Sequence, residues 1–465
     1  MSDHIAQHRV TSEAEDSFGL DPAFVEQVAE ALRADDKARL RELVHDLHYA
    51  DMADLLEHLD QEDRRILVEN IREDLDPEVL PELDEQVRAD VMMTLGFEDF
   101  AAALTELDSD DAIHIAGKLK EAEREQVFAR LPQATRMLIE QGLSYAADSA
   151  GRLMQRELVA VPNYWTVGET IDYMRAAHNL PEKFYVVFVV DPRHRPQGLV
   201  ELSRLLRSKR PERMKDLIEK DVEAVGPDMD REDVAFLFKQ RNLVTAPVVD
   251  KSGRLIGQIT IDDVVDVIEE EAAEDILKMA GVGRSDVSSL YSAIISTANS
   301  RFPWLFVNLL TAILASWVVG IYEDSIEQLA ALAVLMPIVA GMGGNAGTQT
   351  LATVVRALAT REIDKTNAWR VVGKETFVGM IHGLLFGVIV GVMAGWWFDD
   401  VLLGIVIGVA MFANHTVAGL SGILIPLALD KLKADPAASG GVFLTTVTDV
   451  CGFFTFLGLA TYILL

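Results

Sequence analysis

Five long apolar stretches limit what this chain can fold into more sharply than any other feature. They run near Phe302–Tyr322, Gln328–Val355, Phe377–Phe398, Val401–Leu429 and Ser439–Leu465. About 20 apolar residues carry a helix across the hydrocarbon core of a bilayer, so each stretch is long enough to span. The intervening segments give the orientation. After the first stretch come Glu323, Asp324 and Glu327 with no basic residue, and after the second come Arg356, Arg361, Lys365, Arg370 and Lys374. The third gap holds only Asp399 and Asp400; the fourth holds Lys431 and Lys433. Basic residues in alternate loops put those loops in the cytoplasm. The long region ahead of the first stretch is then expected in the cytoplasm, and the C-terminus outside a cytoplasmic membrane crossed several times.

Charge divides the chain in the same place. Of 465 residues, 73 are acidic and 42 basic, a net charge of -31. The part from Arg301 to Leu465 carries only -3, which leaves -28 on the rest. Such a surface repels phosphate backbones, so nucleic acid is not an expected partner. The single cysteine, Cys451, allows no intrachain disulfide and no cysteine-rich zinc site. The opening Met1-Ser2-Asp3-His4 has neither the basic patch nor the apolar run of a signal peptide.

Polar residues inside apolar stretches are costly and therefore informative. Asp449 falls well inside the fifth stretch, within Thr445-Thr446-Val447-Thr448-Asp449. An ionised carboxylate at that depth costs about 2.5–3.5 kcal/mol on insertion scales. A protonated or helix-paired structural aspartate is one account. No Lys or Arg lies within the stretches to pair with it, which favours a water-filled cation path. The second stretch contains Pro337, then Gly341, Gly343, Gly344, Asn345, Gly347, Thr348 and Gln349. That composition suggests a broken or closely packed helix, either lining a wet cavity or packing through small residues. Gly341-x-Gly343 is no dinucleotide fingerprint, because no strand precedes it.

Two repeats organise the cytoplasmic part. Leu59-Asp60, Leu83-Asp84, Leu107-Asp108 and Leu131-Pro132 recur every 24 positions around amphipathic stretches such as Met52–Leu59. A fixed period of that kind argues for a helical solenoid with leucines in its core. Acidic turns such as Asp108-Ser109-Asp110-Asp111 are then either helix N-caps alone or something more. Further on, Val189-Val190-Asp191 recurs 59 positions later as Val248-Val249-Asp250, and Gly198 as Gly257. Both copies read strand, turn, strand, helix: Phe184–Val190 with Gln197–Val200, and Ala246–Val249 with Leu255–Ile261. This pattern resembles a pair of CBS domains, α/β modules that often bind adenine nucleotides through a Thr-x-x-Asp. The second copy has Thr260 and Asp263; the first has Glu201 and Arg204 there, so at most one nucleotide site, for ATP at the second copy, is intact.

An amphipathic helix follows from about Ile261 to Met279, ending near Gly281 and Gly283. Glu271, Glu274 and Asp275 fall on one face, where like charges destabilise the helix unless something neutralises them. A solvated acidic face is the plain alternative. A hard divalent cation such as Mg²⁺ is the better account, because this helix joins the acidic part to the membrane part.

In this order the segments resemble the MgtE family of magnesium channels and transporters, over nearly the whole chain. The residues that carry the resemblance are Tyr145–Met154 at the domain junction, Pro337–Gln349, Asp435-Pro436-Ala437-Ala438-Ser439-Gly440 and Thr446–Asp449. The expected fold is multidomain. Residues 1–20 are a tail and 21–143 an acidic, superhelical α-helical N domain. An α/β CBS-domain pair occupies 144–263, a connecting (plug) helix and linker 264–297, and a five-helix transmembrane pore domain 298–465. The resemblance implies no enzyme but a homodimer in membrane lipid that imports Mg²⁺ through a pore lined by the second and fifth spans. Asp449 matches the family's pore aspartate, with Asn345, Gly344, Gln349 and Thr448 implied beside it. It also implies that cytosolic Mg²⁺ closes the pore. The matching positions are Asp110, Asp230, Glu232, Asp263, Asp266, Glu271, Glu274 and Asp275, with Asp435 at the cytosolic mouth. Three positions depart from the family pattern: His114 and Asn242 replace aspartates, and Gly441 replaces a proline or polar residue. The first two remove implied ligands, so the sensing affinity or number of ions is expected to differ.

Rival functions need residues that are missing. Membrane-embedded hydrolysis needs a His-Glu-x-x-His or an activated nucleophile, and His382 and His415 have no such companions. A scaffold has no use for Asp449, and an anion would be repelled by it. Oxygen donors such as Asp449, with no His beside it in the sequence, argue against soft metals.

Overall fold

The computed structural model describes residues 19–178, 180–181, 183–219, 222–282, 294–364 and 366–465. The expected tail up to 18, Gly283, the linker 283–293 and Lys365 lie outside the described residues. The chain divides into two compact units, Met1–Ile268 and Glu269–Leu465.

The first unit opens with helices α1 (Pro22–Arg33), α2 (Lys37–Val44), α3 (Tyr49–His58), α4 (Gln61–Ile71), α5 (Val79–Glu82) and α6 (Glu85–Glu106). Helices α7 (Ser109–Lys118), α8 (Glu121–Phe128) and α9 (Gln133–Leu143) complete this arm. The 24-residue period is a structural unit of two helical pieces. Leu59, Leu83 and Leu107 each close one helix in extended conformation and are buried, and the Asp after each starts the next. Asp60 and Asp84 accept backbone N–H bonds from the first turns of α4 and α6, satisfying donors that a helix start leaves free. Asp36 does the same for α2, so the period reaches one unit further back than the Leu-Asp pairs mark. Within α6, Gly96 (φ +81°) divides the element as the loops divide the other units. Buried Arg64 and Arg88, again 24 positions apart, reach back to the carbonyls of Leu56 and Leu80. One apolar core runs from Val28 to Ile139.

The second part of this unit contains β1 (Ala160–Pro162), α10 (Val167–Ala176), β2 (Val186–Val190), β3 (Pro196–Glu201), α11 (Leu202–Arg207) and α12 (Met214–Leu217). After these come α13 (Arg231–Arg241), β4 (Thr245–Val249) and β5 (Leu255–Thr260). The duplicated hairpins match in detail. Val189 pairs with Gly198 and Val248 with Gly257, and each register shifts at the next residue. In each turn the aspartate, Asp191 or Asp250, accepts backbone N–H bonds from the two residues that hold the loop. A side chain at Gly257 would enter Met154, and one at Gly198 the backbone of Glu219. β1 adds a parallel strand to β2.

Helix α14 (Ile261–Met279) runs out of this unit and ends before Gly281, whose φ is +74°. The membrane unit then has α15 (Ile294–Gly320), short α16 (Glu323–Gln328), α17 (Ala331–Ala359), α18 (Ala368–Trp397), α19 (Val401–Lys431) and α20 (Pro436–Ile463). All five expected spans exist as helices long and apolar enough to cross a membrane. Several extend past their apolar stretches: α15 begins at Ile294, and Arg370 and Lys374 sit in the first turns of α18 rather than in a loop. Helical hydrogen bonding continues where hydropathy falls, because 30 residues of helix are about 45 Å long, beyond a core near 30 Å.

Helix α17 is unbroken, which corrects the broken-helix alternative. Two of its glycines serve packing, whereas Gly341 and Gly344 have nothing within 4 Å. Methyl groups at Gly343 and Gly347 would enter Asn414 and Leu444. Helices α18 and α19 touch backbone to backbone: a Cβ at Gly387 would stand 2.6 Å from the Gly408 carbonyl, and one at Gly404 2.4 Å from that of Gly391. Close approach through small residues is how apolar helices gain contact in lipid.

Candidate functional site

In the first unit, the start of α7 is turned against the CBS part. Asp108 does not cap its own helix; its carboxylate accepts from Gln155 Nε2 at 2.8 Å. The Ser109 hydroxyl donates to Glu157 at 2.7 Å and accepts from the Arg156 backbone N–H at 2.8 Å. This docking carries Asp110 and Asp111 to the beginning of α14. Asp110 is buried beside Asp263, whose carboxylate accepts from the Thr260 hydroxyl at 2.7 Å. Asp110 Oδ1 is buried with no hydrogen-bond partner among the described residues.

Crowded, dehydrated carboxyls hold their protons more tightly. Burial, then the charge of Asp263, pushes Asp110 well above the usual carboxylate range. Burial and the same neighbour push Asp111 up to about 8. Asp263 is pushed up to about 6 by burial, with the Thr260 bond pulling the other way. Asp108 is also raised, by burial and by Glu157.

In the membrane unit, Lys278 Nζ lies 2.6 Å from both Glu274 and Asp435. Glu274 is buried, whereas Asp435 accepts the Ala437 and Ala438 N–H groups at the start of α20. Lys278 is raised above its ordinary value, burial opposing the bonds to Asp435 and Glu274 that hold its proton. Met279 packs beside Leu351, Val355, Ala437 and Leu444, and its carbonyl lies near Gly441.

The expected site residues are thus distributed. Asp110 and Asp263 meet; Glu274 and Asp435 are joined through Lys278. Asp275 lies close enough to Asp435 for that charge, after burial, to raise it. Asp230 caps α13 by accepting from Glu232 N–H, while Glu232 and Asp266 are exposed and Glu271 is half-buried. Among the described residues, no three His, Cys, Asp or Glu side chains form a ready metal cage. In the spans, Asn345 and Gln349 are exposed, Gly344 is half-buried and so is Asp449. Thr448 is fully buried and its hydroxyl bonds the Leu444 and Thr445 carbonyls, so its side chain faces the bundle interior. Asn242, one of the departures, ends α13 in left-handed conformation (φ +53°), a cap position that suits Asn. Sequence reasoning missed Lys278 and the buried amide of Asn414. An amide in mid-span is itself a signal.

An acidic helical arm, a duplicated α/β module and five helices long and apolar enough to cross a membrane define a multidomain, multi-pass membrane protein. Family models match in the same order. The MgtE intracellular N domain matches residues 47–148, CBS domains match 150–210 and 214–270, and a divalent cation transporter model matches 336–459. The magnesium transporter MgtE of Thermus thermophilus is 33% identical over 439 residues, covering 94% of this chain and 97% of that one. The Bacillus subtilis magnesium transporter MgtE is 28% identical over 431 residues, covering 92% and 95%. A solved cytosolic domain of the Mg²⁺ channel MgtE in complex with ATP is 32% identical, covers 52% of this chain and 99% of that one, and superposes with a TM-score of 0.49. The chain belongs to the MgtE family.

Proposed function

We propose that this protein is a homodimeric Mg²⁺ channel or transporter of the cytoplasmic membrane, importing the ion and closing when cytosolic Mg²⁺ is plentiful. The N-terminal region lies in the cytoplasm and the C-terminus outside. Family membership supports Mg²⁺ as the cargo, and Asp449 is the group that meets it, with Asn345, Gly344 and Gln349 beside it.

The observation that carries the regulatory half is Asp110 Oδ1, a buried oxygen without a donor inside a cluster of carboxyls. Oxygen donors with surplus negative charge fit a hard divalent ion, and Asp108, Asp110, Asp111 and Asp263 would hold it. A bound cation would supply charge neutralisation there, and further along α14 at Glu271, Glu274 and Asp275, with Asp435 at the start of α20. Asp230, Glu232 and Asp266 are the remaining sensing positions. Ions that prefer the closed arrangement shift the population toward it; about 5.5 kcal/mol of differential binding moves 1:99 to 99:1. ATP at Thr260 and Asp263 belongs to the same proposal.

The test is Mg²⁺ uptake into proteoliposomes by wild type and Asp449→Ala. A robust wild-type flux that disappears in a variant of unchanged oligomeric state is the expected result. Equal flux in both would remove Asp449 from the path, and no flux in either at low or high Mg²⁺ would overturn transport.

A further inference from the structure

Asn414 sits near the middle of α19, 1% exposed, in the most buried of the five spans. Its Nδ2 donates to the Val339 carbonyl of α17 at 2.9 Å. The amide fills space left by two glycines on different helices. A Cβ at Gly343 would lie 2.1 Å from Nδ2, and one at Gly452 of α20 would lie 2.7 Å from it. Its Oδ1 has no hydrogen-bond partner among the described residues. Gly343 adjoins Gly344 and Asn345, and Gly452 is about one helical turn from Asp449.

A buried amide in hydrocarbon is unfavourable, and glycine weakens helices. An apolar side chain against alanines would fill the same space at lower cost. Three unfavourable choices meeting at one point indicate a role beyond packing. We infer that Asn414 is a positioning residue for cation passage: from α19 it is bonded to α17 at Val339 and abuts α20 at Gly452, and so sets the separation between the Gly344–Asn345 segment and Asp449. The inference rests on the transport reading above and adds to it the element that fixes pore geometry. Asn414 acts through these helices and not as a ligand.

A separation set by one hydrogen bond and two close contacts governs how a hydrated ion fits, so its loss changes discrimination between ions of different size. The test measures Mg²⁺ and Ca²⁺ fluxes separately in proteoliposomes for wild type, Asn414→Ala and Gly452→Ala. The Mg²⁺ to Ca²⁺ flux ratio is expected to fall about fivefold in Asn414→Ala, the equilibrium equivalent of one neutral hydrogen bond. Gly452→Ala, pressing on the amide from the other side, shifts the same ratio and serves if Asn414→Ala does not assemble. A merely structural amide would reduce the number of active molecules, scaling both fluxes together. A wild-type ratio in the variants therefore overturns the positioning role. Absence of divalent flux in the wild type overturns the transport reading instead, before any variant is compared.

Discussion

Asp60, Asp84 and Asp108 occupy the same place in successive 24-residue units, yet they do different things. The first two cap their helices; the third is drawn to Gln155, 47 positions along the chain. Local sequence cannot separate them, because the difference arises from what the solenoid's last units dock against. The resulting carboxyl cluster has a pH signature. Asp111 and Asp263 bind protons more tightly in the folded state, with values of about 8 and about 6. The folded protein therefore holds extra protons from the ordinary carboxylate range up to about pH 8. Stability is greatest at the acid end of that window and falls as pH rises through it. In chelator, the unfolding midpoint of the cytoplasmic part should drop between pH 5 and 8, and Asp110→Asn should flatten that drop. Added Mg²⁺ should protect more at pH 8 than at pH 6, where protons compete for the same oxygens. A midpoint that rises with pH in both proteins would contradict the cluster's electrostatics.

Elements were legible where one physical signal dominates. Hydropathy alone gave the number and order of the spans, and the 24-residue period gave the solenoid, because burial imposes both patterns directly. β1 was not legible: three residues carry no periodicity, and Ala160–Pro162 is a strand only by pairing with β2. The continuity of α17 was hidden for a related reason. Glycines that break an isolated helix also let Asn414 and Leu444 enter, and only the neighbours decide between these uses. The same contrast makes a stability prediction. Gly404→Leu forces α18 and α19 apart and should destabilise the bundle by about 1–3 kcal/mol or more. Gly373→Ala, with nothing within 4 Å, should be neutral or gain up to about 1 kcal/mol from helix propensity. Thermal unfolding in detergent measures both, and equal midpoints would mean that the helices yield to the added bulk.

The whole molecule joins a part carrying -28 to an apolar part carrying -3. Self-repulsion in the first is a spring whose tension depends on counter-ions. Glu271→Gln with Glu274→Gln should weaken the Mg²⁺ dependence of protease protection in the full chain, whereas unchanged protection would separate these residues from sensing. Lys278 adds a different kind of cross-link between Glu274 and Asp435. A diffusible ion leaves when its concentration falls, but an ammonium on a side chain has no exit. It is a counter-ion at fixed local concentration, indifferent to chelators. If α14 holds exchangeable Mg²⁺ as proposed above, starving the protein of the ion would strip it and spare this ammonium, so the end of that helix beside α20 is expected to keep its anchorage.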